Sequence, residues 1–340
     1  MERKNKSPML VDGLAADLGG KRTEAFFHRV SELFDFNALA QPLGDLFDDT
    51  PGQPGRPHWP VVLMLKCLLL QKWFGLSGVQ LEELLADRLS FRRFVGLSLA
   101  DATPDETTLV VFRRRLLEAG KLQALFDHTL AILRTKGAVL QEGTIVDATI
   151  IDAPMGRKRP DGAHTHDPAA TYTKNHGTLR HGYKAHIATD TRGLITDYVF
   201  DTAKVHDSRH IDALTHGEAV AVYADSAYSE KARRARLAAA GIQARIVHKR
   251  VRGQAQLTPQ QKRFNTTCSV VRAMVEHPRA WMSKMGFVTA RYRGLTKNAI
   301  DFGLLAMAYN LKRALSILGQ PLSTPRPNRW DKAPLRAALA

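Results

Sequence analysis

The stretch Gly143-Thr-Ile-Val-Asp147-Ala-Thr-Ile-Ile-Asp152 constrains the fold more than any other part of the chain. It is rich in Ile, Val and Thr, residues that favour strands. So few polar residues over so short a run predict a strand central in its sheet. A carboxylate sits in the middle of it. Burying an unpaired carboxylate costs several kcal/mol. Asp147 therefore emerges at a strand edge, pairs with a cation, or holds a metal.

The chain has 340 residues, enough for two domains. Its hydrophobic content of 44% is that of a soluble globular protein. No apolar run reaches the ~18 residues of a membrane span. The longest candidate, 61–70, is interrupted by Lys66. The polar N-terminus leads into no apolar signal core, so the expected location is cytoplasmic. Cys67 and Cys268 lie far apart, which predicts reduced thiols and no disulfide or zinc framework.

The net charge of +16 is unevenly placed. Residues 1–140 hold 18 Lys and Arg against 17 Asp and Glu, whereas residues 141–340 hold 31 against 16. The half that carries Asp147 is the basic half. A basic field around a buried acid suits a polyanionic partner such as nucleic acid.

The first 140 residues are expected to be all-helical. Apolar spacing marks a helix from Glu24 to Asn37, and the Pro- and Gly-rich segment 50–57 marks a loop. Helices are predicted over 60–74, 78–87 with Ser77 as cap, and 89–95. Their tight Gly/Ser turns suggest a helix-turn-helix-like unit. Thr103 is the expected N-cap of the next helix, with Pro104 at its first position and Glu106 closing a capping box. A further helix spans 122–136.

After Gly143 the period changes. Residues 153–181 are expected to be a loop, dense in charge and histidine. Strands are predicted over 182–189 and 194–200, joined by the turn Asp190-Thr-Arg-Gly193. A helix at 206–214, a strand at 219–224, a helix at 229–240 and a strand at 242–247 follow. One long helix is expected over 266–285 and a last one over 298–318, before a basic Pro-rich tail, 319–340. An antiparallel trio followed by strand–helix alternation is the order of a ribonuclease-H-like domain. The expected class is α/β: a mixed sheet with flanking helices over 141–318, preceded by the helical region.

Three acids hold special places: Asp147 within the first strand, Asp225 at the end of the fourth, and Glu276 on a late helix. If the first and fourth strands are neighbours, the two Asp can meet, and an acid on a helix across the sheet can join them. Three carboxylates with open positions suit Mg²⁺ or Mn²⁺. Asp152 competes with Asp147, but five residues on it points to the opposite strand face. His164, His166, His176, His181 and His186 cluster loosely with Asp161 and Asp167. They lack the closed spacing of a zinc site, and a loop approaching DNA through Lys174 and Arg180 is the better expectation. Arg291, Arg293 and Lys297 read as phosphate contacts too.

Ordered blocks of the sequence resemble the DDE transposases of bacterial insertion sequences, in particular the IS-five group. The blocks include 64–77, Leu89-Ser-Phe-Arg-Arg-Phe94, 103–108, Val146-Asp-Ala-Thr149, Gly182-Tyr-Lys-Ala-His186, Ala224-Asp-Ser-Ala-Tyr228, Val275-Glu-His-Pro278 and 291–298. The resemblance implies that Asp147, Asp225 and Glu276 are the catalytic, metal-holding acids, with Mg²⁺ as cofactor and Mn²⁺ as substitute. It implies that region 1–140 binds the element's terminal inverted repeats and that the protein acts as a homodimer on double-stranded DNA, with no membrane involved. Lys174, Lys184, Arg272, Lys284, Arg291, Arg293 and Lys297 are the expected DNA contacts. The superfamily's signature around the Glu is Tyr-x-x-Arg-x-x-x-Glu-x-x-x-x-x-x-Lys. Arg272 and Glu276 fit it, whereas Ser269 and Ser283 stand at the Tyr and Lys positions, with Lys284 one residue late. One residue turns a helical side chain by about 100°. A metal-dependent nuclease of the same fold, or a DNA-binding protein that has lost catalysis, are the alternatives.

Overall fold

The computed structural model describes residues 21–47, 57–157, 160–161, 166–175, 177–218, 220–250 and 254–319. They fall into two compact units. One comprises the described residues up to Leu133 together with Ile300–Leu315, the other the described residues from Arg134 to Ala299 and those after Leu315. No single helix among the described residues is long and apolar enough to cross a membrane.

The first unit is helical. It contains α1 (Lys21–Leu33), α2 (Phe36–Ala40), α3 (Val61–Phe74), α4 (Gly78–Asp87), α5 (Leu89–Val95), α6 (Glu106–Glu118) and α7 (Lys121–Thr135). Helix α3 is apolar around most of its circumference, which only a helix covered on all sides can be. Leu63, Leu65, Leu68, Leu69 and Leu70 are accordingly buried. Gly75 takes the left-handed conformation, φ 67°, that ends the helix. Ser77 and Gln80 then form a reciprocal capping box for α4. Helices α3 and α4 meet at 107°, within the range of a helix-turn-helix. Inside the unit, Lys72 and Asp301 form a fully buried ion pair, and Trp73 Nε1 donates to the Ala308 carbonyl at 2.8 Å.

The cap of α6 is not where the sequence placed it. Asp105, not Thr103, is the N-cap, its Oδ1 accepting from the Thr108 amide at 2.6 Å. A charged acceptor at a helix N-terminus outcompetes a hydroxyl two residues earlier because it also meets the helix dipole. Glu106 makes no capping box; its amide donates to Glu82 at 2.8 Å.

The second unit is built on a six-stranded sheet of β1 (Thr144–Asp152), β2 (Thr171–Asn175), β3 (Thr178–Thr189), β4 (Ile195–Thr202), β5 (Ala221–Ala224) and β6 (Gln243–Ile246). Strand β1 lies between β3, antiparallel, and β5, parallel, as its apolar run predicts. Strands β2 and β4 both pair with β3, and β6 extends the other side beside β5. Helices α8 (Ile211–Leu214) and α9 (Lys231–Ala239) contribute to a core with Val146, Ala188, Val222, Ala224 and Ile246. Helices α10 (Pro259–Arg272), α11 (Glu276–Lys284) and α12 (Leu295–Leu318) complete the described chain.

The structure departs from two further expectations. The segment 153–181 is not all loop: β2 and the first residues of β3 form a hairpin inside it. Residues 171–175 lie on the sheet only through backbone pairing, with alternate side chains exposed, so no apolar period marks them. The helix expected over 266–285 begins at Pro259, capped by Thr258 and Gln261, and breaks at a 3₁₀ turn, Ala273–Val275. Pro278 has no amide to donate to the Met274 carbonyl, and its ring crowds that carbonyl. The break therefore falls one turn before the proline.

Candidate active site

Backbone pairing puts the three acids on elements that converge. Residue Asp225 follows β5 directly, and β5 pairs with the start of β1. The 3₁₀ turn Ala273–Val275 packs against β1 and carries the chain into Glu276 at the first position of α11. The helix break thus fixes where Glu276 leaves the helix. Alternation along β1 puts Asp147, Thr149 and Ile151 on one face and Ala148, Ile150 and Asp152 on the other.

Residue Asp147 is crowded by protein, and desolvation pushes its carboxyl up to about 6. The Ala148 amide and the more distant Arg272 and Arg279 guanidinium groups pull it back down, while the negative charge of Glu276 raises it. Among the described residues no cation lies within ion-pairing distance of Asp147. Asp225 Oδ1 accepts from the Ser226 amide at 2.5 Å, and Arg272 Nη1 stands 3.8 Å from the same oxygen. Asp225 therefore also caps the turn that follows it. The Arg272 Nε is buried without a hydrogen-bond partner among the described residues. Glu276 is exposed and pairs with Arg279 at 3.5 Å, an i, i+3 contact on α11. The buried Tyr228 hydroxyl also lacks a partner among the described residues, and its proton is held tightly by burial and by the fields of Asp207, Asp147 and Asp225.

Asp152, the competing acid, is engaged elsewhere. Both its oxygens accept from Arg180, at 2.8 and 2.5 Å. Its backbone pairs with the segment around Thr289. A bidentate pair of this kind holds the β2–β3 hairpin to the end of β1.

The expected DNA contacts separate into groups. Lys174 is exposed on β2, and Lys184, on β3, is buried with its ammonium donating to Asp207 at 2.8 Å and the Val205 carbonyl at 3.0 Å. Both line one cavity with Arg180 and Arg279. Arg272 belongs with the acids. Arg291, Arg293 and Lys297 are exposed around the start of α12, where Asn298 bonds back to Tyr292 and Gly294. Lys284 is exposed at the last position of α11, about 12 Å along the helix axis from Glu276. His164 and His176 lie outside the described residues. His181 and His186 are buried in β3, and burial beside His210 pushes His186 down to about 4. Arg279 escaped the sequence reading, although its spacing from Glu276 was the signal available.

Three carboxylates offer hard oxygen donors suited to a divalent cation, and Arg272 and Arg279 already supply counter-charge beside them. Among the described residues, however, no three His, Cys, Asp or Glu side chains come close enough together to hold a metal ion.

Residues 140–311 match the family described as Transposase DDE domain, and residues 18–115 match Transposase domain (DUF772). No solved structure matches the chain. The first match covers just over half of the sequence and contains all three acids. The chain belongs to the DDE transposase family.

Proposed function

We propose that this transposase binds the inverted repeats at the ends of an insertion sequence of the IS-five group, cuts the strand there and joins it to target DNA. The observation that carries this is Asp147: a carboxylate with raised proton affinity and no ion-pair partner among the described residues, on the central strand of the basic half. Such a group is held ready for a ligand rather than used by the fold. Asp147, Asp225 and Glu276 would hold Mg²⁺, with Mn²⁺ as substitute, after drawing closer together than they stand in this structure; when bound, it would supply Lewis acidity and a water for attack. The chain's own residues do the remainder. Asp147 must shed its proton near pH 6 before it can act as a ligand. Arg272 and Arg279 would exchange carboxylate contacts for phosphate oxygens as DNA arrives, the unpartnered Arg272 Nε among the donors. Lys174, Lys184, Lys284, Arg291, Arg293 and Lys297 would neutralise the backbone. The helical region 1–140 would read the terminal repeats, and two copies would act together on the two ends.

A second reading rests on Ser283 at the family's Lys position and on the three acids not forming a metal-holding group: a DNA-binding protein without catalysis. One set of assays separates the possibilities. Purified protein is given duplex DNA bearing the sequence that flanks its coding region, with Mg²⁺ or without. Cleavage and joined product, both lost in the Asp147→Ala, Asp225→Ala and Glu276→Ala variants with binding retained, support the transposase. Cleavage with no joined product points to a nuclease. Binding with no metal-dependent cleavage points to the second reading.

A further inference from the structure

Side chains of β1, β2 and β3, together with Asp207 and Arg279, line a cavity of about 140 Å³. That is far below the 300–1,000 Å³ of a cofactor or drug-sized site. Four cations line it, Lys174, Arg180, Lys184 and Arg279, against one acid, Asp207, with Thr149 and Asn175 adding neutral polar groups. Three of the cations are already oriented by carboxylates: Arg180 by Asp152, Lys184 by Asp207 and Arg279 by Glu276. Lys174, exposed at the rim, forms no ion pair among the described residues. A small polar cavity with excess positive charge and preset donors is built for a compact oxyanion.

None of the three acids lines the cavity, but two of its lining residues lead to them. Thr149 follows Asp147 on the same face of β1, about 7 Å along the strand. Arg279 bridges from Glu276, and its charge is felt by Asp147. An anion in the cavity therefore lies next to the reacting centre rather than within it. We infer that the cavity is a subsite for one phosphodiester of the DNA strand beside the bond to be cut, held by Lys174, Asn175, Thr149 and Arg279. This rests on the transposase reading above. The hairpin 171–182 then acts as a clamp on the strand, and Arg180–Asp152 is the tie that anchors it to β1.

The test uses the full chain and a short fluorescein-labelled duplex of arbitrary sequence, read by fluorescence anisotropy over a range of salt. Each phosphate contact adds about 0.9 to the slope of log K against log salt. Lys174→Ala should reduce that slope by about one. Asn175→Asp, which puts a negative charge into the cavity while keeping the side-chain shape, should weaken binding roughly tenfold or more. Circular dichroism and melting curves unchanged from the parent show that both variants fold. If the parent binds duplex and both variants match it in affinity and slope, the subsite is wrong while the transposase reading stands. If the parent binds no duplex, the reading beneath it fails as well. In a separate arm inorganic phosphate is titrated at constant ionic strength. Binding of phosphate that Asn175→Asp abolishes, with duplex affinity unaltered, would make the site one for free phosphate and overturn the DNA assignment.

Discussion

Each unit withdraws an acid from solvent, wholly for Asp301 and partly for Asp147, and the two are treated in opposite ways. In the helical unit Asp301 is almost wholly buried and meets Lys72 from α3, itself buried. In the sheet unit Asp147 sits on the central strand, and the guanidinium groups that act on it stand beyond ion-pairing distance. The paired acid is part of the framework and its charge is cancelled inside the fold. The unpaired acid carries a free-energy cost that the fold does not cancel. On the function proposed above, a carboxylate kept at that cost in the basic half is where the molecule would meet its DNA and metal.

That contrast can be broken by mutation. The largest expected effect is Asp301→Ala. It strands a buried ammonium, and should lower stability by about 3–5 kcal/mol, read as a lower denaturant midpoint with the sheet unit's sequence untouched. Little change would mean that the helical unit does not depend on the pair. The next effect has the opposite sign. Because the carboxyl of Asp147 is raised from 3.8 to about 6 in the fold, the folded state holds the proton more tightly than the unfolded one. The resulting stabilisation is fully present below about pH 4 and is lost as pH rises through about 6. Asp147→Asn should therefore raise stability at neutral pH by up to about 3 kcal/mol and change it little at pH 4. A melting-temperature series across that window checks it, and a destabilised variant at pH 7 would mean the acid is structurally paired after all.

Smaller effects refine the comparison. Asp105→Ala removes the N-cap of α6 and should cost about 1 kcal/mol, whereas Thr103→Ala should leave the denaturant midpoint nearly unmoved. Asp152→Asn breaks the Arg180 pair. Its side chain is nearly half exposed, so the loss should stay at or below about 1 kcal/mol. A larger loss would make the β2–β3 hairpin as much a part of the core as the buried ion pair is.

Much of this was legible in residue order. The run 143–152 announced a central strand, the Gly75-Leu-Ser77 turn announced the α3–α4 corner, and the Asp190-Thr-Arg-Gly193 turn announced the β3–β4 hairpin. Each is a local signal whose physics is local. Strand β2 was illegible because its polar residues 171–175 gain strand geometry only from pairing with β3. The α10–α11 break was readable from Pro278 but was outweighed by the helical spacing on both sides. The three acids could be picked out, yet their surroundings could not. The Arg272–Asp225 approach, the Arg279–Glu276 pair and the cavity lined by β1, β2 and β3 depend on how distant elements pack. The engagement of Asp152 by Arg180 is of the same kind, joining positions 28 apart in sequence.

The most direct measurement compares the two acids of β1. Duplex carrying the element's end is incubated with Mg²⁺ and the parent protein, the Asp147→Asn variant or the Asp152→Asn variant, after each is shown to bind the duplex. The expected result is strand cleavage by the parent and, at a rate lowered by the loosened β2–β3 hairpin, by Asp152→Asn, and none by Asp147→Asn. Cleavage by Asp147→Asn at the parent's rate would contradict the assignment of the unpaired strand acid to the chemistry.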